Sequence, residues 1–523
     1  MEIDQSTLDE QRSMETSPMS REATYRNQIR ESLRTGKFLY TLEYVPDLVG
    51  KPHALDELER NSELLGRDSR IAGVNIGDRV KALNSIDTVT CGRIAADASG
   101  KVPLLHLAGK DRTPDQARAV IANALSQGLD NMLLVTGDGV TEKRPDRIRY
   151  QESVVAIHDA KTIAPTALVA AAISPFKYRE EELANQYLKM AKKLNVGADY
   201  LITNCGWDMR KLAELAWYRN ARSFKAPLVA NLLMPTMGWA RGIHSRRLPG
   251  VFMSDDLFQK ICEEHSQGKD VAKRFAWNRL ALQIVGAQHL GYAGVHLSGI
   301  EQYEDLCAAI EAADELARKL PTLESWQQAW NDAHRLPNGH TVDFAPPGGL
   351  YLFKTEPQMG SLKSLPKLGD ATPTEAEVAK FSRMKFLHHA AFEEGSVGAS
   401  VFGSAVRALD KTELGRSALL ELEKATKKPA LGCETCGFCR IEYLFYNCPE
   451  TCPKGLANGA CAGTDENTCE FKDRECIHNR KYRLAKSLGR LDELEKTFVP
   501  SVEGTRGTSS WINHFEGKTP KVS

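Results

Sequence analysis

Cysteine is scarce through most of this chain of 523 residues: only Cys91, Cys205, Cys262 and Cys307 precede residue 433, and the other eight of the twelve fall between Cys433 and Cys476. The four early thiols read as small buried hydrophobes. No run of about 18 apolar residues occurs, so a membrane-spanning helix is not expected. Neither sign of charge is in excess: 68 basic residues stand against 68 acidic ones, which leaves no footprint for nucleic acid or an anionic membrane. The first stretch, "MEIDQSTLDEQRSMETSPMSREATYRNQ", has neither the basic flank nor the apolar segment of a signal peptide. No G-x-G-x-x-G follows a strand-like run, which argues against a separate dinucleotide domain. These absences lead to the expectation of a soluble cytoplasmic protein without nucleic-acid partner or membrane insertion. In a reducing compartment a dense cysteine cluster is a metal site sooner than a disulfide framework.

What is present is a rhythm. Residues 1–24 read as a disordered tail, and "REATYRNQIRESLRTG" reads as a short helix closed by Gly36. Short apolar runs rich in β-branched residues then alternate with helical patterns: "KFLYTLEY", "RIAGVNIG", "VPLLHLAG", "NMLLVTGD", "TALVAAAIS", "ADYLITNC", "PLVANLLM" and "AGVHLSG". Between two of them, "TPDQARAVIANALSQG" has Thr113 as cap, Pro114 in the first turn and Gly128 at the end. Eight β/α units within residues 25–320 predict a (β/α)8 TIM barrel, with an open doubly wound sheet as the minor alternative.

In such a barrel, chemistry sits at the C-terminal ends of the strands. The polar residues there are Glu43, Asn75, Asp78, His106, Thr136, Asp138, Ser174, Thr203, Asn204, His296 and Ser298. Residues 235–270 exceed an ordinary connection, as loops that shape a substrate site often do. Residues 321–430 read as a mixed, mainly helical connector. Within it a capping box is expected at Thr372 and Glu375, and "GRSALLELEKATKK" is expected to stop before Pro429. After the cysteines, "RKYRLAKSLGRLDELEK" predicts an amphipathic helix, and within residues 486–523 the last twenty or so read as frayed.

The cysteine-rich module, residues 431–485, spaces its thiols as Cys433-x2-Cys436-x2-Cys439-x8-Cys448-x3-Cys452, followed by Cys461, Cys469 and Cys476. Three thiols within seven residues can meet at one centre, and eight suffice for two four-cysteine sites. Glycines 432, 437, 455, 459 and 463 supply turns around a metal, and Tyr443, Leu444, Phe445 and Tyr446 can shield it. Zinc and iron-sulfur both remain open. Ligand number and softness favour two 4Fe-4S centres over zinc.

"TLEYVPDL", "LLHLAG" and "LLVTGDGV" together resemble the methylenetetrahydrofolate reductase family over about residues 25–320. That resemblance implies a flavin-bearing barrel, with FAD or the smaller FMN, that reduces the methylene bridge of a tetrahydrofolate to a methyl group. It implies Glu43 as the catalytic acid and Asp138 as a second catalytic residue that contacts both flavin and pterin, with Thr136 and Gly137 beside it on the flavin. It also implies Asn75, His106 and Lys193 as flavin contacts, with Lys193 near the phosphates, and Asn204 on the pterin. The family arginine before Gly137 is missing, Asn204 stands where glutamine is usual, and a flavin-site tyrosine is replaced near Ala172. The cysteine module is similar to a C-terminal domain of the same family and to a small subunit that relays electrons to the flavin. NAD(P)H or a reduced partner protein is then the electron donor, and a homo-oligomer is expected. Chemically, ring opening of the methylene bridge needs a proton on the departing nitrogen, which a carboxylic acid of raised pKa supplies; Leu42 and Tyr44 beside Glu43 suit that. The competing readings are a pterin-dependent methyltransferase with zinc and a non-catalytic adaptor.

Overall fold

The computed structural model describes residues 25–45, 53–78, 86–140, 148, 150–300 and 302–523. The expected tail 1–24 and the Pro46–Leu48 end of the "TLEYVPDL" stretch lie outside them. Eight parallel strands close into one barrel in sequence order: β1 Leu39–Tyr44, β2 Ile71–Ile76, β3 Leu104–Ala108, β4 Asn131–Val135, β5 Leu168–Ile173, β6 Tyr200–Thr203, β7 Leu228–Leu233 and β8 Gly294–Ser298. β8 pairs with β1 from Leu39 opposite Gly294 to Leu42 opposite Leu297. The architecture is the (β/α)8 barrel that the alternation predicts. Among the described residues no helix is long and apolar enough to cross a membrane.

Alternation along each strand sorts side chains into two layers. Leu39, Ala72, Leu104, Leu133, Leu168, Ala170, Tyr200, Ile202 and Val229 fill the lower barrel interior, and Ile29 from the helix Gln28–Thr35 closes it from below. Outward-facing Leu42, Tyr44, Val74, Leu105, Val169 and Leu201 pack under the surrounding helices. The connection after β7 folds into two helices, Met237–His244 and Asp255–Ser266.

Beyond the barrel, several local expectations shift. The capping box of the helix Glu375–Phe392 is made by Thr374 and Glu377, two residues later than expected. Both threonines have a glutamate three positions on, and Glu180 accepts from the Ala371 N–H at 2.9 Å, which holds the approach to the helix in place. The helix Glu413–Leu431 runs through Pro429 and ends at Gly432, left-handed at φ 62°, whose N–H donates to the Lys428 carbonyl at 2.8 Å. Proline costs one hydrogen bond there, and the buried Leu431 and the glycine cap hold the last turn regardless. The single helix expected after the cysteines is two, Ile477–Ser487 and Leu491–Lys496, broken by Gly489 at φ 68°. Nor is the C-terminus frayed. Trp511 and Ile512 of the helix Ser510–Phe515 pack on Val406 and Leu419, and Ser523 exchanges backbone hydrogen bonds with Phe498.

Candidate functional site

Above the apolar layers, the barrel interior turns polar. Glu43 stands opposite Asn75 in the β1–β2 register, and Thr41 and Asn231 stand opposite His296 from the two strands that flank β8. These positions face inward because they share the parity of Leu39 in β1 and Gly294 in β8. Asn75 donates to Thr41 Oγ1 at 2.8 Å and lies against His296 Nδ1, while Ser298 donates to Asn231 Oδ1 at 2.8 Å. The rings of His106 and His296 are 5.5 Å apart, and His296 Nε2 stands 3.9 Å from Glu43 Oε1, an ion-pair rather than a hydrogen-bond distance.

The Glu43 side chain is 24% exposed at the top of this layer. Leu42 and Tyr44 point away from it into the outer layer, so they do not keep it protonated as the sequence suggested. Burial pushes the carboxyl up, but His296, aided by His106 and Ser298, outweighs burial and holds it at about 2. Burial, with the neighbouring His296, pushes His106 down to about 4. Three buried atoms here make no hydrogen bond: His106 Nε2, His296 Nε2 and Asn75 Oδ1. Buried polar atoms are rarely left so, and three around one carboxylate form a recognition surface for a polar heterocycle. On that observation the residues fit a flavin ring edge.

The remaining expected site residues lie around this centre. Thr136 Oγ1 accepts from the Ser153 N–H at 3.2 Å, which fixes the β4 turn. Gly137 is left-handed at φ 84°, and its carbonyl accepts from Lys454 Nζ at 2.8 Å. Asp138 is exposed, with Lys454, Glu470 and Lys110 as charged neighbours. Asn204 bridges the Gly250 carbonyl at 3.0 Å and the Cys205 N–H at 2.9 Å. Ala172 accepts at its carbonyl from the buried Lys193 Nζ at 2.6 Å. Glu43, Asn75, His106 and His296 therefore form one group, while Thr136–Asp138, Asn204 and Lys193 lie on surrounding elements. Thr41 and Asn231 belong to the polar layer and escaped the sequence reading. Their signal was a polar residue at inward parity within an apolar run.

None of the twelve cysteines is joined in a disulfide. The eight clustered ones sort by mutual electrostatic proximity into Cys433, Cys436, Cys439 and Cys448, and Cys452, Cys461, Cys469 and Cys476. The first four line one cavity with Lys427 and Arg440. The second four sit on the barrel side. Lys454 joins them to Gly137, Gly139 N–H donates to Glu470, Arg246 pairs with Asp465, and a Cβ on Gly250 would stand 2.7 Å from the Ala462 carbonyl. The Cys461 thiol is 3.5 Å from Glu470 Oε2. Among the described residues no three His, Cys, Asp or Glu side chains converge as they would around a single metal ion. Docking is completed by the buried Glu152, whose carboxylate accepts from Ala457 N–H at 3.1 Å and from Asn458 N–H at 3.0 Å and pairs with Lys189 at 3.2 Å.

Residues 28–313 match the family model described as methylenetetrahydrofolate reductase, and residues 415–503 match the one described as methylene-tetrahydrofolate reductase C terminal. No curated protein matches the chain. Among solved structures it is similar to 2,3-dimethylmalate lyase, a PEP mutase/isocitrate lyase superfamily member, at 12% identity and TM-score 0.32 over 58% of this chain and 89% of that one. It is also similar to oxaloacetate acetylhydrolase in complex with the inhibitor 3,3-difluorooxalacetate, at 13% and 0.32 over 58% and 88%. The homocysteine methyltransferase MmuM from Escherichia coli stands at 13% and 0.32 over 55% and 99%. At these scores no chemistry is taken from them.

Proposed function

The chain belongs to the methylenetetrahydrofolate reductase family, and from that premise we propose that it interconverts 5,10-methylenetetrahydrofolate, or a related methylene-pterin, and the 5-methyl form at the mouth of the barrel. Enzymes of this family are oxidoreductases. A flavin, when bound, supplies the hydride that no amino-acid side chain can donate. The observation that carries the reading is the Glu43 group, a carboxylate and two histidines around buried atoms that make no hydrogen bond at the C-terminal end of a closed barrel.

His106 and Asn75 would hold a flavin at its ring edge, and Glu43 with His296 handles the proton. In the empty pocket Glu43 is ionised, because His296 stabilises its charge. Substrate that displaces water and draws the carboxylate away from His296 raises its proton affinity toward the range an acid needs. Asp138 and Asn204 flank the pterin, and Asn204 must exchange its bond to Gly250 to do so. The two thiol sets would hold metal centres, two 4Fe-4S clusters by ligand number, whose chemistry would be the supply of electrons. The set containing Cys452 is the proximal one, since its segment contacts Gly137, Gly139 and Gly250 on the barrel rim.

Anaerobic purification with metal and flavin analysis is the test. Bound flavin with about eight irons per chain supports the full proposal, because each cubane holds four. Flavin with two zinc ions leaves a reductase with a structural module, and zinc without flavin overturns the proposal. Glu43→Gln is expected to abolish folate turnover and to leave flavin reduction by the donor intact; loss of both would remove Glu43 from the acid role.

A further inference from the structure

The module segment from Cys461 to Phe471 crosses the barrel rim from the end of β4 to the connection after β7. At the β4 end Glu470 accepts from the Gly139 N–H, and the buried Lys454 joins Glu470 to the Gly137 carbonyl at 2.8 Å. In the middle the segment rests on the start of the helix Glu180–Asn195, which follows β5 and supports the module's helix Ile477–Ser487. There Asn467 donates from its N–H to Glu182 at 3.0 Å and from its side chain to Glu181 at 3.1 Å. The buried Lys177, just before that helix, donates to the Thr464 carbonyl. At the β7 end Arg246 pairs with Asp465, and the Ala462 carbonyl comes so close to Gly250 that a Cβ there would stand 2.7 Å away. Anchors spread over several strand ends fix the segment along its length, as a wall and not as a flap hung from one point.

The two ends of this wall stand beside Asp138 and Asn204, the residues read as pterin contacts. Gly139 follows Asp138 directly and is covered by Phe471, whose ring atoms stand 3.1 and 3.4 Å from the place a Cβ would take. Lys454 and Glu470 are charged neighbours of Asp138 itself. At the other end Asn204 donates to the Gly250 carbonyl at 3.0 Å, and Gly250 is all that separates it from Ala462. The Glu43 group belongs to β1, β2, β3 and β8, the other half of the mouth. The site thus has one half built by the barrel alone and one half shared with the module. In the shared half Phe471 keeps 37% of its surface exposed next to a carboxylate. A flat conjugated heterocycle with N–H donors suits that pair: the carboxylate takes the donors and the aromatic ring takes the flat face.

We propose that residues 461–471 of the cysteine module are the outer wall of the pterin half of the site, and that Phe471 is a substrate-binding residue that stacks on the ring whose N–H groups Asp138 takes. The inference rests on the reductase reading for the identity of the ring, and on the contacts alone for the wall. The module is then part of the substrate pocket, and it selects the ring system that enters.

The test uses the full chain and two probes, 5-methyltetrahydrofolate and FAD, with affinities measured by calorimetry and KM and kcat for 5-methyltetrahydrofolate measured beside them. Phe471→Ala is expected to bind 5-methyltetrahydrofolate roughly tenfold more weakly, the loss of one aromatic face. Its KM is expected to rise with kcat little changed, and its FAD affinity to stay that of the wild type. Phe471→Trp restores the folate affinity, and Phe386→Ala, at a ring 69% exposed on the helix Glu375–Phe392, behaves as wild type. Arg246→Gln, which frees Asp465 at the β7 end, weakens folate binding in the same direction by a smaller factor. Should Phe471→Ala not fold, Phe471→Leu, which keeps the apolar bulk without the ring face, is read the same way. Wild-type folate affinity in Phe471→Ala overturns the wall and leaves the reductase reading untouched. A loss of FAD affinity equal to the loss of folate affinity places Phe471 on the flavin and overturns the proposal. A wild-type chain that binds FAD and no 5-methyltetrahydrofolate overturns the reductase reading, and the pterin assigned to Phe471 with it.

Discussion

The barrel and the cysteine module solve the same problem of burying a chain in opposite ways. The barrel closes eight strands on themselves and fills the interior with aliphatic layers, so its backbone groups are paired within the fold. The module has two 3-10 turns and a small core of Phe438, Leu444, Ala457, Ile477, Val499 and Val502 among its thiols. Among the described residues nine non-glycine ones have positive φ, and six of these lie in it: Thr435, Phe445, Tyr446, Glu466, Asn467 and Lys472. Each such conformation costs of order 1 kcal/mol or more and persists only when the surroundings impose it. The difference teaches that the barrel carries its own stability, whereas the module leans on the helix it rests on and, under the proposed function, on the metal its thiols would hold.

The sharpest way to break that comparison is to challenge the metal centres proposed for the module. Chelation, or Cys452→Ser with Cys476→Ser, is expected to abolish the ordered module while the barrel keeps its far-UV circular dichroism. A single cooperative loss of both would make them one unit. Next in size is Glu152→Gln, which leaves Lys189 buried without its counter-charge and weakens the bonds to Ala457 and Asn458. A loss of roughly 3 kcal/mol in denaturant titration is expected, at the low end for breaking a buried pair, and it falls on the module transition.

A smaller effect comes from pH. Lys193 has a folded pKa near 7 against an ordinary 10.5, so between these values the unfolded chain binds more protons than the folded one. Stability of the empty protein therefore rises with pH across that window, by roughly 1 kcal/mol per pH unit for one such group. Below pH 7 the lysine is charged in both states and its full burial penalty remains. Lys193→Met is expected to flatten the slope in thermal melts. Smallest is Pro429→Ala, which restores one backbone donor near the end of a helix already capped by Gly432. It is expected to gain less than about 1 kcal/mol by denaturant titration and to leave the module unchanged.

The strands were legible because a buried parallel strand is a short β-branched run between turn signals, and all eight appear where those runs stand. Glu43, Asn75, His106 and His296 were legible as polar residues at strand ends. Thr41 and Asn231 were not, since threonine is an ordinary strand former and a lone asparagine inside "PLVANLLM" has meaning only once the parity of β7 is known. The docking contacts were out of reach for a different reason. Glu152 and Asn458 are 306 positions apart, and each reads alone as a surface residue. The same holds for Lys189 and Lys481, whose burial comes from two helices meeting. The later cap at Thr374 likewise depends on Glu180, nearly two hundred residues upstream.

Many contacts between barrel and module are made by side chains reaching to main chain on the far partner, as at Glu152, Lys189 and Lys454, and the covalent link between the two runs through residues 321–430. That link is a tether which is itself packed on the barrel, through Trp326, Trp330, Leu352 and Leu365. It holds the module at a high effective concentration against a surface that already has the polar character of a contact between separate chains. Cutting the tether would turn a unimolecular docking into an association that depends on dilution, so the same two pieces could serve as one polypeptide or as a pair of subunits without any change in the contacts that join them.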